Sequence, residues 1–210
     1  MPEFSFRQVL ATCFTLAQID RLAQLTIGIA GCGGLGSNCA VALVRSGFAR
    51  LYLADFDLVE PGNLNRQAYT SAHLGRPKAD CLAEVLRQIN PDLHLVTTRD
   101  RLDAARAREF YAPCDAVVEA FDQAAAKAML AGVFLPTPKL YVTASGLAGY
   151  GASDRLRVRR LGPTAYLVGD EVSAVGPDRK PYAPCVQIAA AKEADIVLAW
   201  ALGAPILPAS

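Results

Sequence analysis

The sequence predicts an α/β fold: a Rossmann-like, mainly parallel sheet with helices on both faces and antiparallel edge strands near the C-terminus. Three observations carry this. Short β-branched and apolar runs alternate with longer stretches of helical apolar spacing through most of the chain. A glycine-rich turn, Gly31-Cys32-Gly33-Gly34-Leu35-Gly36, separates the first such run from the first helical stretch. After Gly146 the alternation gives way to two short runs around Gly162-Pro163, the pattern of a hairpin.

The elements follow in order. Residues 1–24 read as an N-terminal helical arm with mixed apolar residues, Phe4, Phe6, Val9 and Leu10, and residues 25–210 as a single domain. A strand over 26–30, a helix over 36–46 with Cys39, Leu43 and Val44 at helical spacing, and a strand over 50–55 make one βαβ unit. Its connection is expected to be right-handed. Pro at the first turn opens a helix over 77–89. Strands over 93–98, 116–119 and 139–143, with helices over 103–110 and 122–132 between them, continue the alternation. The hairpin strands are expected at 157–161 and 165–168. Residues 169–184, rich in Gly, Pro and charge, read as a mobile loop before a long closing helix from about Cys185.

Composition narrows the function classes. Hydrophobic residues make up 52% and charged residues 20% of the 210 positions, which suits a packed, soluble domain. A net charge of +1 exerts no global pull toward nucleic acid or anionic lipid, so neither is expected as a partner. No run reaches the roughly 18 apolar residues of a membrane span, and the Ala-rich stretch 186–202 is interrupted by Lys192, Glu193 and Asp195. The six cysteines, Cys13, Cys32, Cys39, Cys81, Cys114 and Cys185, form no C-x-x-C pair, which argues against zinc and redox motifs and for reduced thiols in a cytoplasm.

The glycine turn is the first candidate site. Gly31, Gly33, Gly34, Leu35 and Gly36 lie between strand and helix, where backbone N–H groups approach a phosphate or ribose closely. Asp55, closing the second strand, offers a carboxylate to both hydroxyls of a ribose, and Asp57 points the same way on an extended chain. These features alone equally suit an NAD(P)-dependent oxidoreductase.

The segment Asp55-Phe56-Asp57-Leu58-Val59-Glu60-Pro61-Gly62-Asn63-Leu64-Asn65-Arg66-Gln67, followed by Gly75-Arg76-Pro77-Lys78, has no purpose in a dehydrogenase. With the glycine turn it resembles the ubiquitin-activating-enzyme superfamily, which includes the ThiF and MoeB adenylyltransferases. The resemblance implies that Asn63, Arg66 and Lys78 face the phosphates of ATP, and that Asp122, after Val117-Val118-Glu119-Ala120-Phe121, helps hold magnesium there. It implies a place for Arg7, within Phe6-Arg7-Gln8, on the nucleotide of a partner subunit in a homodimer. Extending through Ala144-Ser145-Gly146-Leu147-Ala148-Gly149-Tyr150-Gly151 and Ile188-Ala189-Ala190-Ala191, it is nearest the short ThiF-like proteins. The implied reaction is adenylation of the C-terminal glycine of a ThiS-like, ubiquitin-fold sulfur carrier protein, in thiamine thiazole biosynthesis. The rival readings are the oxidoreductase and a relative that binds ATP without catalysis.

Longer relatives carry two C-x-x-C pairs for zinc, and this sequence has none, so no zinc is expected. Cys185 ends the loop where many relatives form a covalent intermediate, but neighbouring Val186 and Ile188 favour burial over an exposed thiolate. His73 and His94 stand alone, and Glu60 reads as structural or substrate-orienting rather than as a general base, because a carboxylate nucleophile is already ionised at neutral pH.

Overall fold

A computed structural model describes residues 5–151 and 153–207. Phe4 of the arm and the ends of both expected segments, 1–4 and 208–210, lie outside the described residues. The strands are β1 (Thr26–Ala30), β2 (Arg50–Ala54), β3 (His94–Thr98), β4 (Ala116–Glu119), β5 (Leu140–Ser145), β6 (Arg157–Gly162) and β7 (Ala165–Gly169). The helices are α1 (Phe6–Leu10), α2 (Leu16–Gln24), α3 (Gly34–Arg45), α4 (Lys78–Ile89), α5 (Ala104–Phe110), α6 (Ala124–Phe134) and α7 (Ala183–Leu202).

The strands form one sheet in the order β3-β2-β1-β4-β5-β7-β6. Strand order reverses between β1 and β4, and in such sheets the crevice beyond the carboxyl ends at that reversal is where ligands bind. The hairpin forms as the sequence predicts, with β6 antiparallel to β7. β7 runs parallel to β5 and only β6 is antiparallel, because the chain leaving β5 crosses to the sheet edge and returns beside its starting strand.

Helices cover both faces. Leu43 of α3, Leu82 of α4 and Val197 of α7 pack with Ile29, Leu53 and Val118 on one face. Tyr111, Leu130 and Phe134, at the ends or inside of α5 and α6, pack with Val117 and Tyr141 on the other. The alternation at Val117 and Val118 is the two-residue period of a strand buried on both sides. The arm joins this core through Leu22, and Arg21 Nε donates to the carbonyl of Ala201 at 2.7 Å. Its second helix starts at a capping box, in which Thr15 Oγ1 accepts from Gln18 N at 3.3 Å and Gln18 Oε1 accepts from Thr15 N at 3.0 Å.

The expected mobile loop carries no helix or strand between β7 and α7, yet it is anchored. Gly149 N donates to the Lys180 carbonyl at 2.8 Å, and Arg155 Nε pairs with Asp170 Oδ2 at 3.0 Å.

Among the described residues, one buried carboxyl group is left without any partner. Glu193 of α7 is fully buried, and neither carboxyl oxygen has a hydrogen-bond partner among the described residues. Burial pushes its carboxyl well above the usual carboxylate range, with the Lys127 charge pulling the other way. The unfolded chain releases this proton near 4.5 while the folded chain retains it, so stability falls as pH rises from there toward the folded pKa. Glu193→Met is therefore expected to raise stability at pH 8 by about 1–3 kcal/mol and to flatten its decline with pH. Urea denaturation at pH 5 and 8 measures both, and an unchanged midpoint at pH 8 would show that something satisfies the acid.

Candidate functional site at the sheet reversal

The crevice is built on a backbone corner that admits no side chains. Gly31 follows β1 with φ +97°, and a Cβ there would stand 2.8 Å from the Ala120 carbonyl oxygen. A Cβ on Gly36 would lie 1.8 Å from the oxygen of Gly31. Both positions require glycine for close approach, and Gly31 also for its left-handed φ. α3 starts at Gly34, two residues before the expected start, and Gly33 at its N-cap supplies no side-chain cap. The N–H groups of its first turn, including Gly34, Leu35 and Gly36, therefore have no side-chain acceptor, and the helix dipole favours an anion there.

Asp55 locks the corner to β2. Its Oδ2 accepts from Cys32 N at 2.6 Å and its Oδ1 from Asp57 N at 2.8 Å. Burial pushes the Asp55 carboxyl above its usual range, against the two backbone hydrogen bonds and the Lys78 charge. Asp55 thus has a structural task beside the expected ribose contact. Asp57 is exposed, and its Oδ2 receives Lys78 Nζ at 2.8 Å. Lys78, at the first position of α4, is 7% exposed, and Tyr69 Oη bridges it to the corner by donating toward the carbonyls of Cys32 at 2.7 Å and Lys78 at 3.2 Å.

Arg66 reaches the corner from the turn after β2. A Cβ on Gly34 would touch Arg66 Cγ at 3.5 Å and Val186 of α7 at 3.0 Å, so Arg66 flanks the first turn of α3. Asn38 Nδ2 ties the two together by donating to the carbonyls of Gly34 at 2.6 Å and Arg66 at 2.8 Å. The guanidinium donates to Gly62 O at 3.0 Å and Asn65 Oδ1 at 2.8 Å, within its own turn. Asn63 closes that turn by accepting Glu60 N–H on Oδ1 at 3.0 Å.

Asp122 follows the turn after β4, where Ala120 and Phe121 line Gly31. It is exposed, and α6 begins behind Gln123 with no side-chain cap, so Asp122 is not the helix cap that its position allowed. Among the described residues no group of three or more His, Cys, Asp or Glu side chains stands close enough to hold a metal ion. One carboxylate fits magnesium only as an ion shared with phosphate oxygens and water, which is how this hard cation usually binds.

Arg7 is not brought to the site of its own chain. Its guanidinium pairs with Asp20 at 2.6 Å. α1 packs through Leu10 near Gly47, beyond the C-terminal end of α3, a helix whose 12 residues span about 18 Å from the glycine corner. Cys185 is 6% exposed, with its thiol directed to the Leu147 carbonyl at 3.2 Å, the environment of a packed cysteine. His73 Nδ1 accepts from Thr70 N at 3.0 Å in a turn away from the crevice.

The profile of the ThiF family matches residues 6–188. The chain belongs to the ThiF family. It is 34% identical over 146 residues to the sulfur carrier protein ThiS adenylyltransferase of Escherichia coli, a match covering 68% of this chain and 58% of that protein. It is 31% identical over 144 residues to the adenylyltransferase and sulfurtransferase UBA4 of Candida glabrata, covering 68% of this chain and 33% of the relative. The chain thus matches little more than half of the first relative and a third of the second. Among solved structures, E. coli tRNA N6-threonylcarbamoyladenosine dehydratase in complex with ATP superposes with a TM-score of 0.85 at 22% identity, covering 93% of both chains. E. coli MccB with ATP gives 0.68 at 22% identity, covering 88% of this chain and 57% of that one. Both show the ThiF-family fold.

Sequence reasoning missed Asn38, Tyr69 and the pair Glu119–Lys127. Asn38 had a signal, since a polar amide one turn after Gly34 sits on a helix whose neighbours are apolar. Tyr69 had none, because its role depends on two segments that only the fold brings together.

Proposed function

We propose that this chain binds ATP with magnesium and adenylates the C-terminal glycine carboxylate of a ThiS-like, ubiquitin-fold sulfur carrier protein, in the thiamine thiazole pathway of the cytoplasm. The supporting observation is the convergence of the glycine corner, Arg66 and Lys78 at the carboxyl ends of β1 and β2, with Asp122 at the end of β4. The crevice offers N–H donors and two cations to a polyphosphate, and one exposed carboxylate that would repel it without a cation between them.

In this reading a carboxylate oxygen of the carrier forms a bond to the α-phosphorus while the bond to the bridging oxygen of pyrophosphate breaks. No proton need be removed from the nucleophile. Negative charge grows on the nonbridging oxygens and on pyrophosphate, and Arg66 and Lys78 meet it as fixed donors. Lys78 is held in place by Asp57 and by Tyr69 against its backbone, and Arg66 by Asn38. Magnesium, when bound, neutralises phosphate charge. Asn63 retains its Nδ2 donors, and Arg7 acts on a partner subunit's nucleotide in a homodimer.

The test is exchange of labelled pyrophosphate into ATP in the presence of a small β-grasp protein ending in Gly-Gly. Exchange is expected with the intact carrier and is expected to vanish when its last two glycines are removed. Exchange with neither sinks the reading. Asp55 and the glycine corner also suit a nicotinamide nucleotide, and saturable NADH binding with no ATP binding would favour that oxidoreductase instead.

A further inference from the structure

Glu119 ends β4 with no exposure to solvent, and it holds together three segments around the crevice. Its Oε1 accepts from Phe121 N at 2.7 Å, which shapes the turn that presents Asp122. Lys127 of α6 donates to Oε1 at 3.1 Å and to Oε2 at 2.8 Å. The same ammonium donates to the Ala144 carbonyl at 2.9 Å, and Thr143 Oγ1 donates to Oε2 at 2.5 Å, so the end of β5 is tied to the same acid. All three ammonium protons and both carboxyl oxygens are committed.

We infer that the Glu119–Lys127 pair is a positioning device for Asp122, setting that carboxylate beside the corner and keeping it free for a phosphate-bound cation. Two features of the geometry lead there. Lys127, on the helix that follows Asp122, is committed to Glu119 and to the Ala144 carbonyl rather than to Asp122. The turn residue Phe121, whose ring would stand 3.3 Å from a Cβ on Gly31, is fixed by the same carboxylate, so the backbone that leads into Asp122 is tied to the corner. A residue that orients a ligating carboxylate changes metal affinity without touching the metal. The inference takes the ligand, ATP with magnesium, from the adenylation reading.

Removing one charge would strand the other in the interior, so the informative variant is the double replacement Glu119→Gln with Lys127→Met, which removes both. ATP is titrated calorimetrically into the full chain at a series of magnesium chloride concentrations. The double variant is expected to need about tenfold more magnesium for half of the gain in ATP affinity, with ATP affinity in the absence of magnesium unchanged. Lys127→Arg keeps a donor fork on Glu119 and is expected to retain the wild-type magnesium dependence. A folded double variant with wild-type magnesium dependence overturns the inference, and so does an equal loss of affinity with and without magnesium, which marks a general structural role. Thr143→Val loosens Glu119 without stranding a charge and is expected to shift the magnesium dependence in the same direction by a smaller factor. If the double variant does not fold, Thr143→Val decides alone, and no shift overturns the inference. A wild-type chain whose ATP binding ignores magnesium overturns it too. Magnesium-dependent ATP binding without carrier-dependent exchange would sink the adenylation reading and leave the role of the pair standing.

Discussion

Arg66→Ala and Asp122→Ala are each expected to leave a folded chain whose carrier-dependent pyrophosphate exchange has fallen about 10²–10³-fold, the usual effect of deleting one fixed group that meets transition-state charge. The folds should survive because neither side chain holds distant elements together. Among the described residues the Arg66 guanidinium bonds only within its own turn, to Gly62 and Asn65, and the tie from Asn38 is to the Arg66 backbone, which alanine retains. Asp122 is exposed and caps no helix. Lys78 is a poorer choice for this experiment, since it is buried against Asp57 and its loss confuses stability with activity. Exchange rates and thermal midpoints measured together make the check. Wild-type exchange in both variants would remove these residues from the site, and a fall in thermal midpoint matching the loss of exchange would make the effect structural.

Gly36→Ala is expected to be among the most damaging single-methyl changes at the crevice, costing about 4 kcal/mol or more, the range reserved for severe overpacking or backbone displacement. The added carbon would lie 1.8 Å from the Gly31 oxygen, and the obstacle is backbone rather than a side chain that can swing away. Relief requires moving either the start of α3 or the corner after β1, and both carry the crevice. Gly62→Ala is the control: a Cβ there meets nothing within 4 Å, so a change within about 0.5 kcal/mol is expected. Urea denaturation followed by the fluorescence of the one tryptophan, Trp200 in α7, reads both variants. A Gly36→Ala midpoint close to that of Gly62→Ala would mean that the corner relaxes at little cost.

Most of the sheet was legible because its signals are local. β1, β2 and β4 are apolar runs bounded by turn residues, and each forms within one residue of its expected limits. The starts of α3 and α6 each moved by two residues, in opposite directions, since helix ends are set by hydrogen bonding at the cap rather than by apolar spacing. The candidate site divides in the same way. Gly31, Asp55, Arg66, Lys78 and Asp122 stood out by order and spacing in the motifs, but Asp55 proved to be committed to two backbone N–H groups, which spacing does not reveal.

The amino-acid order by itself determined the alternation of strands and helices, the glycine corner and the kinship with ThiF proteins, because each is written in periods of two or 3.6 residues or in a short contiguous motif. Only the tertiary structure decided that β7 enters between β5 and β6, that Arg7 lies at the far end of α3 from its own crevice, that Tyr69 links Cys32 to Lys78, and that Glu119 and Lys127 bind β4, α6 and β5 into one unit. These facts depend on contacts between residues distant in sequence, whose partners are selected by how two helix layers pack on a twisted sheet.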